Sequence, residues 1–116
     1  MSDPAIFEQL SQLLRPYAKR MIIKTDTDTN LYFEEETSTG KPQMFAAVQA
    51  KAGYVALHVY PVYLQPRLLE TVSPQLRARM HGKSCFNFKS ADQVMPDDIA
   101  DLLRIAFDSL GRATPG

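Results

Sequence analysis

The chain has a single cysteine, Cys85. No intramolecular disulfide can form, and a Cys-rich zinc module is excluded. It also has no excess of charge of either sign, since thirteen Lys and Arg balance thirteen Asp and Glu. A protein built mainly to bind a polyanion is strongly basic, so no nucleic-acid partner is expected. No apolar run approaches the roughly 20 residues of a membrane span, so no membrane partner is expected either. The opening Met1-Ser2-Asp3-Pro4 lacks the charged-then-apolar order of a signal peptide, and the chain reads as cytoplasmic. Internal repeats and low-complexity segments are absent. What is present is 116 residues, 45% of them hydrophobic, enough for one self-sufficient core. Residues 1–116 read as one domain, with 112–116 a frayed tail.

Asp3-Pro4 has the cap-plus-proline form of a helix start. Ile6, Phe7, Leu10, Leu13, Leu14 and Tyr17 follow at helical spacing. The residue before Pro16 disfavours helical geometry, so this helix should end near Leu14 or Arg15. Lys19–Thr25 alternates polar and apolar residues and reads as a first strand. Leu31–Glu36 reads as a second, Gln43–Lys51 as a third and Tyr54–Tyr63 as a fourth, with Pro61 and Pro66 closing the sheet region. Ala52-Gly53 makes a short hairpin turn between strands three and four. Pro66–Thr71 reads as one or two helical turns. Ser73-Pro74 starts a short helix to about Met80, which Gly82 stops. Ser84–Phe88 is a fifth strand. The last helix should run from Pro96 to Leu110 and end at Gly111, with Leu103, Phe107 and Leu110 buried on one stripe. The order α-β-β-β-β-(αα)-β-α predicts an α+β single domain: a mainly antiparallel five-stranded sheet flanked by helices.

Several local patterns imitate functional motifs and fail on inspection. Asp26-Thr27-Asp28-Thr29-Asn30 opens like a calcium loop, but Leu31 stands where the turn needs Gly and Thr37 where a bidentate Glu is needed. Gly82-Lys83-Ser84 ends like a phosphate-binding loop, but Arg77 occupies the first Gly position and the triplet leads into a strand. Cys85 with His58 or His81 lacks any spacing that marks a nucleophilic pair. Glu34 and Glu36 share one side of a strand, two carboxylates without a dedicated ligand set. No metal site, cofactor or catalytic constellation is expected on these grounds. Charge is unevenly distributed. Residues 67–89 hold five Lys or Arg against one acid, and 25–36 hold five acids and no base. Solvated faces and intramolecular charge complementarity are the first reading of this polarity, and an anion site or partner patch on the basic side is the alternative.

Pairing Lys51 with Tyr54 across the hairpin puts Ala47 opposite His58. Ala46, Val48, Ala50, Val55, Leu57 and Val59 then form a core face. The other face gathers Phe45, Ala47, Gln49, Tyr54, His58 and Tyr60. If Glu36 pairs with Gln43, Tyr32 and Glu34 join it, and Cys85 and Asn87 follow when Phe86 and Phe88 turn to the core. Apolar walls with a few polar groups are what a ligand pocket needs. The candidate ligand-binding residues are therefore Tyr32, Glu34, Tyr54, His58, Tyr60, Cys85 and Asn87.

Tyr54-Val55-Ala56-Leu57-His58-Val59-Tyr60-Pro61-Val62-Tyr63, then Gly82-Lys83-Ser84-Cys85-Phe86-Asn87-Phe88 and an acid-started helix, resembles the YdhG-like family of small bacterial proteins. The resemblance spans roughly Leu31 to Leu110 and implies a frataxin-like α+β fold in a cytoplasmic bacterial protein. An iron-chaperone role is proposed for some relatives. A frataxin-type iron surface masses acids on the first helix, where this chain has Asp3 and Glu8. The sequence therefore points first to a non-enzymatic binding module for a small molecule or protein partner, a monomer or weak homodimer. An iron or metal chaperone is the alternative.

Overall fold

A computed structural model of the chain describes residues 4–36 and 40–113, the last three as helical backbone. Helix α1 spans Pro4–Leu14 and buries Ile6, Phe7, Leu10 and Leu14, the stripe set by helical periodicity. It gives way at Pro16 to a 3-10 turn, Arg15–Arg20. The proposed cap, Asp3, lies outside the described residues. Five strands follow: β1 Ile22–Asp26, β2 Asn30–Glu35, β3 Gln43–Lys51, β4 Tyr54–Val59 and β5 Cys85–Phe88. They form a single sheet in sequence order, and every neighbouring pair is antiparallel. The fold is α+β, and the element order broadly follows the one expected from the sequence, with one additional short helix after β4.

Helices α2 (Tyr60–Leu64), α3 (Pro74–Arg77) and α4 (Pro96–Ala113) complete the chain, with 3-10 turns at Pro66–Thr71 and Ala91–Gln93. Ser73 caps α3 as its sequence suggests. Its Oγ accepts the Leu76 amide at 3.2 Å and donates to Asp98 Oδ2 at 2.7 Å, which ties α3 to the first turn of α4. Helices α1 and α4 pack on each other, and α1 lies on β3 and β4. The core between helices and sheet contains Leu31, Phe33, Val48, Leu57, Phe86 and Phe88 from the strands, with Ile99, Leu102, Leu103 and Ala106 from α4.

The structure corrects several expectations. The segment from Lys19 is helical through Arg20, and β1 begins at Ile22, because Pro16 favours a tight 3-10 turn over immediate extension. Strand β4 ends at Val59. Tyr60 opens α2, where Pro61 sits in the first turn with φ already fixed for a helix. Helix α3 stops at Arg77, short of Met80, and residues 79–81 instead run beside β5. The Asn87 amide donates to Arg79 O and the His81 amide to Cys85 O, each at 2.8 Å. Helix α4 passes through Gly111, which does not act as its C-cap. Leu103 is sealed, but Phe107 and Leu110 are only partly buried against the core, and Ser109 takes a buried position beside them.

One correction is a matter of register. Strands β2 and β3 pair as expected from Asn30↔Gln49 to Phe33↔Ala46, then shift so that Glu34 faces Met44 and Glu35 faces Gln43. Phe45 is the extra residue of this β-bulge. A bulge turns its additional side chain out of strict alternation. Phe45 thus leaves the face predicted for it and enters the core, where it is fully buried.

Candidate functional site

The β3–β4 register is the one expected, Lys51↔Tyr54 and Ala47↔His58, and β5 continues it with His58↔Cys85 and Ala56↔Asn87. Strand periodicity therefore places Tyr32, Ala47, Gln49, Ala56, His58, Cys85 and Asn87 on the face away from the helical core. Ala47 and Ala56 have almost no exposed surface, yet neither belongs to the main core cluster. Their neighbours close over them from the second face. Polar groups there are largely satisfied sideways. Lys24 Nζ lies 3.5 Å from Glu34 and over the Tyr32 ring, 5.5 Å from its centroid. Gln49 Nε2 donates to Asn30 Oδ1 at 3.4 Å. The Cys85 thiol donates to Asn87 Oδ1 at 3.3 Å and lies 3.9 Å from His58 Nε2.

Six of the seven candidate residues thus lie on β2, β4 and β5, while Tyr60 stands apart at the start of α2. Burial pushes the Cys85 thiol up, with Lys51 partly opposing it. Burial and the positive charge of Lys51 both push His58 below its ordinary value of 6.5. Near neutral pH the pair is a neutral thiol beside a neutral imidazole. In the unfolded chain His58 takes up its proton at higher pH than in the fold. Stability should therefore decline as pH falls from about 6.5 through the lower folded value. A Lys51→Met variant should raise the His58 midpoint in an imidazole NMR titration. An unchanged midpoint would remove Lys51 as a cause.

No family model, curated protein or solved structure matches the chain. The site is therefore built from the geometry of this molecule.

Surface cavities away from the sheet face include two lined by described residues. One, of about 660 Å³, lies between the 3-10 turn Pro66–Thr71 and α4. Its lining carries both signs of charge, Arg67 and Arg104 with Glu70 and Asp108. Arg104 is already held by Asp101 at 3.7 Å and Asp108 at 3.9 Å. The other, of about 530 Å³, is lined by Tyr63, Pro66, Leu69, Met80, Gly82 and Lys83. Tyr60 reaches its edge by stacking on Tyr63, with ring centroids 5.6 Å apart and planes at 20°. Lys83 Nζ lies 6.0 Å from the Tyr63 centroid. Sequence reasoning missed Tyr63, Pro66, Leu69, Met80 and Gly82 as site residues, and met Lys83 only within the basic stretch and the rejected Gly82-Lys83-Ser84 phosphate-loop pattern. The available signal was Tyr60-x-x-Tyr63, a spacing that brings two rings together on a helix but not on a strand.

Proposed function

We propose that this protein is a non-enzymatic binding domain for a small ligand, and that the ligand sits in the cavity between α2 and the Gly82–Lys83 turn. The observation that carries this reading is the cavity itself. Its volume of about 530 Å³ falls within the roughly 300–1,000 Å³ usual for small-molecule sites. Its walls are mainly apolar with one cationic group, the combination that supplies affinity and orientation together.

The state of the Cys85–His58 pair supports a non-enzymatic role. A cysteine nucleophile works as a thiolate, normally with an imidazolium nearby. Here burial shifts both groups toward their neutral forms. The metal-chaperone alternative has less support. Among the described residues no three His, Cys, Asp or Glu side chains gather into a group that could hold a metal. Membership of the YdhG-like family, a bacterial cytoplasmic setting and a monomeric or weakly dimeric state remain part of the proposal. No helix among the described residues is long and apolar enough to cross a membrane.

A fragment screen on isotopically labelled protein tests this reading. Hits should perturb the amides of residues 63–69 and 80–84 first. Perturbation confined to the strand face around His58 and Asn87, or no perturbation by any fragment, would overturn it.

A further inference from the structure

We infer that the cavity takes an amphipathic organic monoanion, a carboxylate carried on an aromatic or compact apolar body. This rests on the cavity being the binding site and adds the ligand's chemical class. The lining supplies Tyr63, Pro66, Leu69 and Met80 as apolar wall, one charged side chain, Lys83, and no acid. No carboxylate among the described residues forms an ion pair with Lys83. Its ammonium instead lies over the Tyr63 ring, a weak interaction for an exposed cation. A ligand carboxylate offers that ammonium a stronger, charge-assisted hydrogen bond. One cation and no acid match a single negative charge. A nucleotide or other polyphosphate would call for several cations or a helix N-terminus.

The site is held in place before any ligand arrives. Gly82 turns the chain at φ +95°, a left-handed geometry that favours glycine. The turn is pinned on both sides, by the His81 amide on Cys85 O at 2.8 Å and by the Val59 amide on Ser84 O at 2.9 Å. Tyr63 is backed by the stacked Tyr60 ring, and Pro66 has a fixed φ. Such preorganisation lowers the ordering cost of binding. Surface composition at the cavity agrees. Tyr63 is 49% exposed and the adjacent Leu64 is 50% exposed. Ile23 is the only other large apolar side chain so exposed among the described residues.

Three probes of one shape separate the possibilities: naphthoate, neutral naphthamide and cationic naphthylmethylamine, each titrated by NMR. Naphthoate should perturb residues 63–69 and 80–84 and bind about tenfold more tightly than naphthamide, the usual advantage of a hydrogen bond to a charged group. The amine should bind weakest. Lys83→Met should bring the ratio of acid to amide affinity down to about one, whereas Lys83→Arg should keep the preference. Lys89→Met, at the opposite end of β5, controls for overall charge and should change nothing. Equal affinity for acid and amide, or an acid preference that survives Lys83→Met, overturns the ligand class while the cavity stands as a binding site. If none of the three probes perturbs the cavity residues, both the ligand class and the site reading fall.

Discussion

Replacing Phe45 with alanine should destabilise the protein by about 3–5 kcal/mol in urea denaturation, the usual loss for truncating a buried aromatic. Phe45 is fully buried. Its ring lies 5.7 Å from Tyr17 and 6.1 Å from Phe107, and the Tyr17 and Phe107 rings lie 5.1 Å from each other. The three rings join the turn after α1, the bulge in β3 and the last helix. Phe107→Ala should cost less, about 1–3 kcal/mol, because Phe107 is only partly buried and Arg20 rests over its outer side. An equal or reversed ranking would mean that Phe45 is not the centre of this cluster. A domain of this size has about 5–15 kcal/mol of stability in total, so the Phe45 effect would be visible in any equilibrium measurement.

Phe45 also shows where the sequence stops being legible. Strict alternation assigns it to the second face, and alternation holds along β3 from Ala46 to Ala50. The hairpin to β4 could be read because Ala52-Gly53 leaves two residues for the turn, and Gly53 supplies a positive φ of 84°. Once that register is fixed, the pairing of Ala47 with His58 follows. The bulge has no comparable signature. It is decided by what the extra side chain can bury, and here Tyr17 and Phe107 offer the space. The same limit explains Tyr60. Alternation from Tyr54 to Tyr63 looks extended, but one proline in the first turn makes helix the better local choice from Tyr60 onward.

The candidate sites divide along the same line. His58, Cys85 and Asn87 came together because strand pairing is a local and periodic property. The cavity beside Tyr63 depends on residues 63–69 meeting residues 80–83. That meeting arises when the chain beyond α3 lies along the outer edge of β5, an arrangement of backbone hydrogen bonds rather than of sequence pattern. The basic run of residues 67–89 drew attention to charge in this region. It could not show that Lys83 faces an apolar wall.

The largest single effect should come from Ala47→Pro. Strand β3 is the middle of five, with β2 on one side and β4 on the other. Ala47 is paired with Tyr32 and with His58. In such a strand an amide points to an occupied neighbour whichever way it faces, so proline removes a ladder hydrogen bond and leaves a buried carbonyl without its donor. Its ring also intrudes on the adjacent strand. The cost should be at least about 3 kcal/mol, from the steric clash and the unpaired group together. Lys24→Pro is the matched comparison. Lys24 lies in edge strand β1 at the register shift between Ile23 and Thr25, where it has no partner in the ladder. Proline is tolerated at edges and bulges. The substitution also removes the ion pair between Lys24 and the half-buried Glu34 and the Lys24 contact with the Tyr32 ring, and with the ammonium end exposed these contribute about 1 kcal/mol each or less. Amide spectra and urea midpoints should therefore show Ala47→Pro largely unfolded or strongly destabilised, and Lys24→Pro folded near the parent midpoint. Comparable midpoints for the two variants would place β3 at an edge and break the sheet order on which both the second face and the His58–Cys85 pairing depend.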